Sequence, residues 1–175
     1  MKVSHSDIEP LEARIAPAFA AAFELSTLDG SKGFKLSGVA GVEHSGSSVR
    51  EAGDVNDDGF ADFIVGAPYA SPNGFHSGAS YVIFGKANGL ANLNLSALDG
   101  SNGFKLSGVA GYDRAGSSVS AAGDVNGDGF GDLIIGAEGA GPNRSSSGAS
   151  YVVFGKRGTK AAIATSGGSS WVNNP

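Results

Sequence analysis

Three features of the 175-residue sequence predict an all-β fold: two four-stranded antiparallel blades of a β-propeller, incomplete as a single chain. Residues 25–86 lie over 95–156 without a gap at an offset of 70, with 43 identities in 62 positions. The duplication makes each copy one supersecondary unit that buries its faces against its neighbours. Apolar segments within a copy run four to seven residues between Gly, Asp, Asn, Pro and Ser, the pattern of strands and turns. Glycine fills 29 positions and only 17% of residues are charged, a turn-rich composition. The glycines do not recur every third residue, so collagen is excluded, and the dense apolar runs argue against disorder.

Taken in order, residues 1–24 form a leader outside the repeat. Its apolar stretch, 15–23, has the length of an export signal, yet Asp7, Glu9 and Glu12 stand where a basic region belongs. A disordered or weakly helical leader is the alternative, and the stretch is too short to span a membrane. Residues 25–94 form the first repeat with a preceding outer strand. At 33–38, Phe34 and Leu36 alternate with Lys35 and Ser37, which marks a half-exposed strand at a sheet edge. Strands follow at 46–52, 61–67 and 79–84, the last two apolar on both faces as if enclosed between sheets. A linker, 87–94, leads into the second repeat, 95–156, with strands at 103–109, 116–122, 131–137 and 149–154. The strand at 103–109 serves as the fourth of the first blade, which leaves the second copy without an outer strand of its own. Strand 33–38 is expected to complete that last blade in a circular arrangement. A β-sandwich of two similar halves is the rival architecture. Residues 157–175 read as a flexible tail.

Each copy carries Asp-x-Asn-x-Asp-Gly-x-x-Asp between its first two strands: Asp54, Asn56, Asp58, Gly59 and Asp62, then Asp124, Asn126, Asp128, Gly129 and Asp132. Carboxylates at positions 1, 5 and 9, an amide oxygen at 3 and the main-chain carbonyl of Phe60 or Phe130 at 7 suit a hard cation of calcium size, about 2.3 to 2.6 Å from its ligands. Magnesium prefers a tighter octahedron, and zinc prefers His or Cys. An EF-hand is rejected because position 12 is Val65 or Ile135 inside an apolar strand rather than Glu. A metal-free cluster of Asx turns is the plain alternative, since Asp, Asn and Gly are common in tight turns. Asp57, replaced by Gly127 in the second copy, reads as a solvated surface charge.

With strands and loops in place, the text SGSSVREAGDVNDDGFADFIVGAP and AGSSVSAAGDVNGDGFGDLIIGAE, each followed by SGASYVxFGK, resembles the FG-GAP repeats of the integrin α-type β-propeller, and especially their bacterial secreted form. The resemblance spans residues 25–156. It implies about two calcium ions per chain, held by Asp54, Asn56, Asp58, Phe60 and Asp62 and by Asp124, Asn126, Asp128, Phe130 and Asp132, and a role in adhesion or ligand recognition at the cell surface or outside the cell. The family's Phe-Gly opening is here Ser45-Gly46 and Ala115-Gly116, and its Gly-Ala-Pro becomes Gly136-Ala137-Glu138 in the second copy. Integrin-type propellers have seven blades, whereas this sequence supplies two, so head-to-tail association of chains into a ring is one expectation and a piece of a longer array another.

No catalytic pattern accompanies the repeats: G-x-S-x-G, Walker A, H-E-x-x-H and G-x-G-x-x-G are all missing from the sequence. Cysteine is absent and the formal charge is -5, which disfavours thiolate chemistry, nucleic acid and anionic membrane. His5, His44 and His76 fall in the leader or in loops that differ between copies. The expectation is a non-enzymatic binding module for a protein or glycan ligand, held on loops 68–78 and 138–148. An accessory piece of a secreted hydrolase is the alternative.

Overall fold

The computed structural model describes residues 22–87, 89–141 and 146–156. Residues 1–21, which hold most of the stretch expected as a possible export signal, and residues 157–175, expected as a tail, lie outside the described residues. Strands in chain order are β1 (Leu36–Ser37), β2 (Ser48–Gly53), β3 (Asp62–Ala67), β4 (Ala79–Ile83), β5 (Leu93–Asn94), β6 (Gly103–Ser107), β7 (Ala115–Gly123), β8 (Asp132–Ala137) and β9 (Ala149–Val153). Single 3-10 turns at Leu25–Thr27 and Leu95–Ala97 lead into the two outer-strand segments. Among the described residues, no helix is long and apolar enough to cross a membrane.

Strands β2, β3, β4 and β6 form an antiparallel sheet in that order, so the second repeat does supply the fourth strand of the first blade. Phe104 of β6 lies opposite Val82 of β4, and Lys105 opposite Tyr81. Strands β7, β8 and β9 form a second antiparallel sheet. The sequence predicts two four-stranded blades; among the described residues the second has three strands. Strand β1, expected to complete it, instead pairs in parallel with β5, in a segment read from sequence as plain linker. The reason is local. Phe34 packs edge-on against Phe63 at 5.8 Å, and the Leu93 amide donates to the Lys35 carbonyl at 2.9 Å, so β1 stays beside the first blade. Among the described residues, the sheets do not close on themselves.

Both faces of β3 and β4 are covered, which accounts for the apolar runs at 63–67 and 81–83. On one face Val55, Ile64, Val82 and Phe84 meet Val119, Leu133 and Ile135 of the second sheet; on the other Val65, Tyr81 and Ile83 meet Phe34, Leu36, Leu90 and Leu95. Fully burying one such side chain contributes about 1.5 to 3 kcal/mol. The sheets approach so closely that a Cβ on Gly66 would strike the Gly116 carbonyl, and one on Gly78 the backbone of Ala115. Backbone bonds fasten the contact: Ala115 N donates to Ser77 O at 3.1 Å and Lys156 N to Val55 O at 3.0 Å.

Candidate functional site

The acidic loops join β2 to β3 and β7 to β8 at one end of the sheets. They fold alike in both copies. Asp54 accepts from the amides of Asp58 at 3.1 Å and Gly59 at 2.9 Å, and Asp124 from Asp128 at 3.0 Å and Gly129 at 2.9 Å. Asp58 accepts from the Phe60 amide and the Asn56 side chain; Asp128 accepts from Phe130 and Asn126 in the same way. Asp62 is fully buried and spans two elements, taking the Val55 amide at 2.9 Å and the Gly85 amide at 2.9 Å, while Asp132 takes those of Val125 and Gly155. The two loops also touch, since Gly131 N donates to Asp54 O at 3.0 Å. Position 57 has φ 60° and its counterpart Gly127 has φ 76°, so Asp57 occupies a left-handed turn position rather than being merely a surface charge. Asp and Gly both tolerate that conformation, which explains the exchange between copies.

As they stand, the loop side chains are turned onto backbone amides, and among the described residues no three His, Cys, Asp or Glu side chains converge to hold a metal ion. The donor set nevertheless suits a hard cation. A carboxylate oxygen that accepts one N–H keeps a second lone pair, and each loop offers three carboxylates and an amide oxygen. Burial pushes the Asp62 carboxyl up to about 6; the amides of Gly85 and Val55 pull against that rise, and the charges of Asp58 and Asp54 add to it. The three carboxylates of the first loop therefore feel one another.

That shift carries a sign. The cation-free fold holds a proton on Asp62 between the ordinary 3.8 and about 6, where the unfolded chain has lost it. The stability tied to this group is complete below about pH 4 and is lost as pH rises through about 6. Urea midpoints measured in chelator should fall across this window, and Asp62→Asn should remove the slope. Asp29 and Asp99, each held below the ordinary value by the hydroxyl of a serine two residues on, act below the window. An unchanged slope in Asp62→Asn would contradict the assignment.

At the opposite end of the sheets, the loop from β3 to β4 meets the segments that precede β2 and β7. Phe75 stacks on His76 at 3.7 Å and meets Tyr112 at 5.5 Å; Tyr69 lies 4.7 Å from His44 and 4.9 Å from His76. The Arg114 guanidinium sits 5.6 Å over the Tyr69 ring and pairs with Glu138 at 3.2 Å. Phe75 and Tyr112 are exposed. His44 and Arg114, which are counterparts in the two copies, share positive φ (52° and 55°), as do His76 and Ser146 (53° each). The backbone is thus repeated at strained positions whose side chains differ. From sequence these histidines read as variable loop residues; the signal that marks them is the pairing of divergent side chains at matched positions. Of the two loops expected to hold a ligand, 68–78 contributes Tyr69, Phe75 and His76 to this cluster, while 142–145 of the second is outside the described residues.

The family model described as FG-GAP repeat matches residues 51–83 and 115–153. The chain therefore carries FG-GAP repeats, one in each sheet. It is similar to integrin alpha-PS5 of Drosophila melanogaster, 38% identical over 54% of this chain, and to integrin alpha pat-2 of Caenorhabditis elegans, 40% identical over 53%. It is also similar to phosphatidylinositol-glycan-specific phospholipase D of Bos taurus, 39% identical over 59% of this chain. The aligned regions span 9%, 7% and 12% of those three proteins respectively.

Proposed function

We propose that this chain is a non-enzymatic, calcium-binding FG-GAP module that recognises a protein or glycan ligand at the cell surface or outside the cell, in a bacterial secreted protein. The observation that carries the proposal is the acidic loop, whose Asp, Asn, Asp, Gly and Asp recur in both copies with the same side-chain hydrogen bonds. A hard divalent cation held by Asp54, Asn56, Asp58, the Phe60 carbonyl and Asp62, and a second held by Asp124, Asn126, Asp128, the Phe130 carbonyl and Asp132, would neutralise carboxylates that otherwise repel one another. Asn56 and Asn126 orient the central carboxylates, and Asp62 and Asp132 tie the loop ends to the strands behind them. Calcium at about 10⁻⁴ to 10⁻³ M, the working range of extracellular modules, suffices for such a role.

The proposed ligand surface is the opposite end, where exposed Phe75 and Tyr112 offer rings for stacking and Arg114 and Glu138 offer charge. Placing recognition there leaves the calcium loops to stiffen the sheets. On a glycan and protein array, Tyr112→Ser is expected to lose at least tenfold in binding with its calcium-dependent melting unchanged. Retained binding would move the ligand surface elsewhere.

The calcium role is tested by Asp58→Ala. Its melting temperature should fall well below that of the parent in calcium and only slightly below it in chelator. Equal losses in both would make Asp58 a plain turn residue. The similarity to a phospholipase D favours one second reading, an accessory module of a secreted hydrolase. Turnover of phosphodiesters or glycans by the purified chain, lost on substitution in either acidic loop, would favour it over the binding module.

A further inference from the structure

The open side of the second sheet repeats a surface that is buried in the first. Val55, Ile64, Val82 and Phe84 are 0 to 7% exposed against the second sheet, whereas their counterparts Val125, Ile134, Val152 and Phe154 are 37 to 60% exposed. A Cβ on Gly66 or Gly78 would strike the second sheet, but one on Gly136 would clash only with the Ser118 hydroxyl of its own sheet, and one on Gly148 meets only the Glu138 carbonyl, at 3.9 Å. A concavity of about 550 Å³ lies at this place, lined by Ser118, Gly136, Ser147 and Ala149 among others. Their counterparts Ser48, Gly66, Ser77 and Ala79 receive the start of β7.

The first sheet shows the matching half. Gly116 is wedged against Ala79 and Ser80, while a Cβ on its counterpart Gly46 meets nothing within 4 Å. Val119 is 5% exposed and its counterpart Val49 is 47% exposed. The Ser45 hydroxyl beside Gly46 is buried without a hydrogen-bond partner. Strand edges agree. β9 pairs only with β8 and β1 only with β5 among the described residues. The Lys35 backbone is turned toward β5, bonding to Leu93 and to the Asn92 side chain. Because backbone groups alternate along a strand, those of Phe34 and Leu36 point to the other edge, the edge that Phe104 and Leu106 use to bond β4.

We infer that this chain binds a second copy of itself head to tail: β1 of one copy adds to the free edge of β9 of another, and the opening of its β2 at Gly46 enters the concavity beside Gly136. The β4–β6 register, shifted by 70 residues, sets Ser37 opposite Ala149, Leu36 opposite Ser150 and Phe34 opposite Val152. The interface is the one the chain already builds between its own sheets, which is why a second copy, rather than an unrelated partner, fits it. It is heterologous, so it closes into a ring when the rotation permits; propellers close at about four to eight blades, or roughly two to four chains.

Light scattering of the full chain at several concentrations tests this, beside Val152→Glu and the double variant Ser37→Cys with Ala149→Cys. The parent should show a mass two to four times 17.4 kDa that falls on dilution, and Val152→Glu the mass of one chain. Since the chain has no cysteine, oxidation of the double variant should give a ladder of linked chains that a thiol reagent collapses. Neighbours at such a position stand about 4.5 Å apart in Cα, within disulfide reach. The ladder decides the matter even if Val152→Glu fails to fold. A parent of single-chain mass at every concentration, an absent ladder, or a disulfide closing within one chain would each overturn the inference.

Discussion

Replacing Asp62 with Ala is expected to cost about 2 to 6 kcal/mol, whether or not calcium is present. Its buried carboxylate satisfies the amides of Val55 and Gly85, and each buried N–H left without a partner costs about 1 to 3 kcal/mol. For a chain of this size, that lowers the melting temperature by roughly 5 to 20 °C. Asp132→Ala should behave alike, because Asp132 holds Val125 and Gly155 in the same way. Asp58, on the exposed part of the loop, should show most of its loss only when calcium is present. Differential scanning calorimetry of Asp62→Ala and Asp58→Ala, with calcium and with chelator, separates the two roles. An Asp62→Ala chain that melts with the parent in chelator would contradict the bridging role.

A comparably large effect is expected where the sheets meet. Gly66→Ala places a methyl group against the Gly116 carbonyl, and neither backbone yields without parting the sheets. Such overpacking costs about 1 to 3 kcal/mol in ordinary cores, and a backbone collision belongs at or above the top of that range. At the counterpart position, Gly136→Ala clashes only with the Ser118 hydroxyl, the end of a side chain that can rotate, so its cost in dilute solution should be below about 1 kcal/mol. Urea denaturation of both variants measures the contrast. Equal costs would mean that Gly66 does not lie in a close contact between sheets.

Much of this architecture is legible in the sequence because the repeat supplies its own control. The strands expected at 61–67 and 79–84 appear as β3 and β4 within one residue at each end, since their apolar runs are bounded by Asp62 and by glycines that fix the turns. The expectation that 103–109 completes the first blade also holds, because Phe104 and Leu106 require an apolar partner on one face only. The pairing of β1 with β5 was not legible. It depends on Phe34 finding Phe63 and on one amide side chain, Asn92, which bonds Lys35 and Leu28. Neither contact leaves a periodic trace. In the acidic loop the sequence identifies the residues but not their state: turn-forming and cation-binding roles call for the same Asp, Asn and Gly, and the hydrogen bonds of Asp54 and Asp58 serve the first role directly.

The role proposed for the loops depends on their binding a hard cation. Isothermal titration of chelator-treated protein with calcium measures this directly. Two ions taken up per chain with dissociation constants at or below about 1 mM, falling to one for Asp58→Ala and to none when Asp128→Ala is added, is the predicted result. No uptake at millimolar calcium, or uptake unchanged in the double variant, would contradict it.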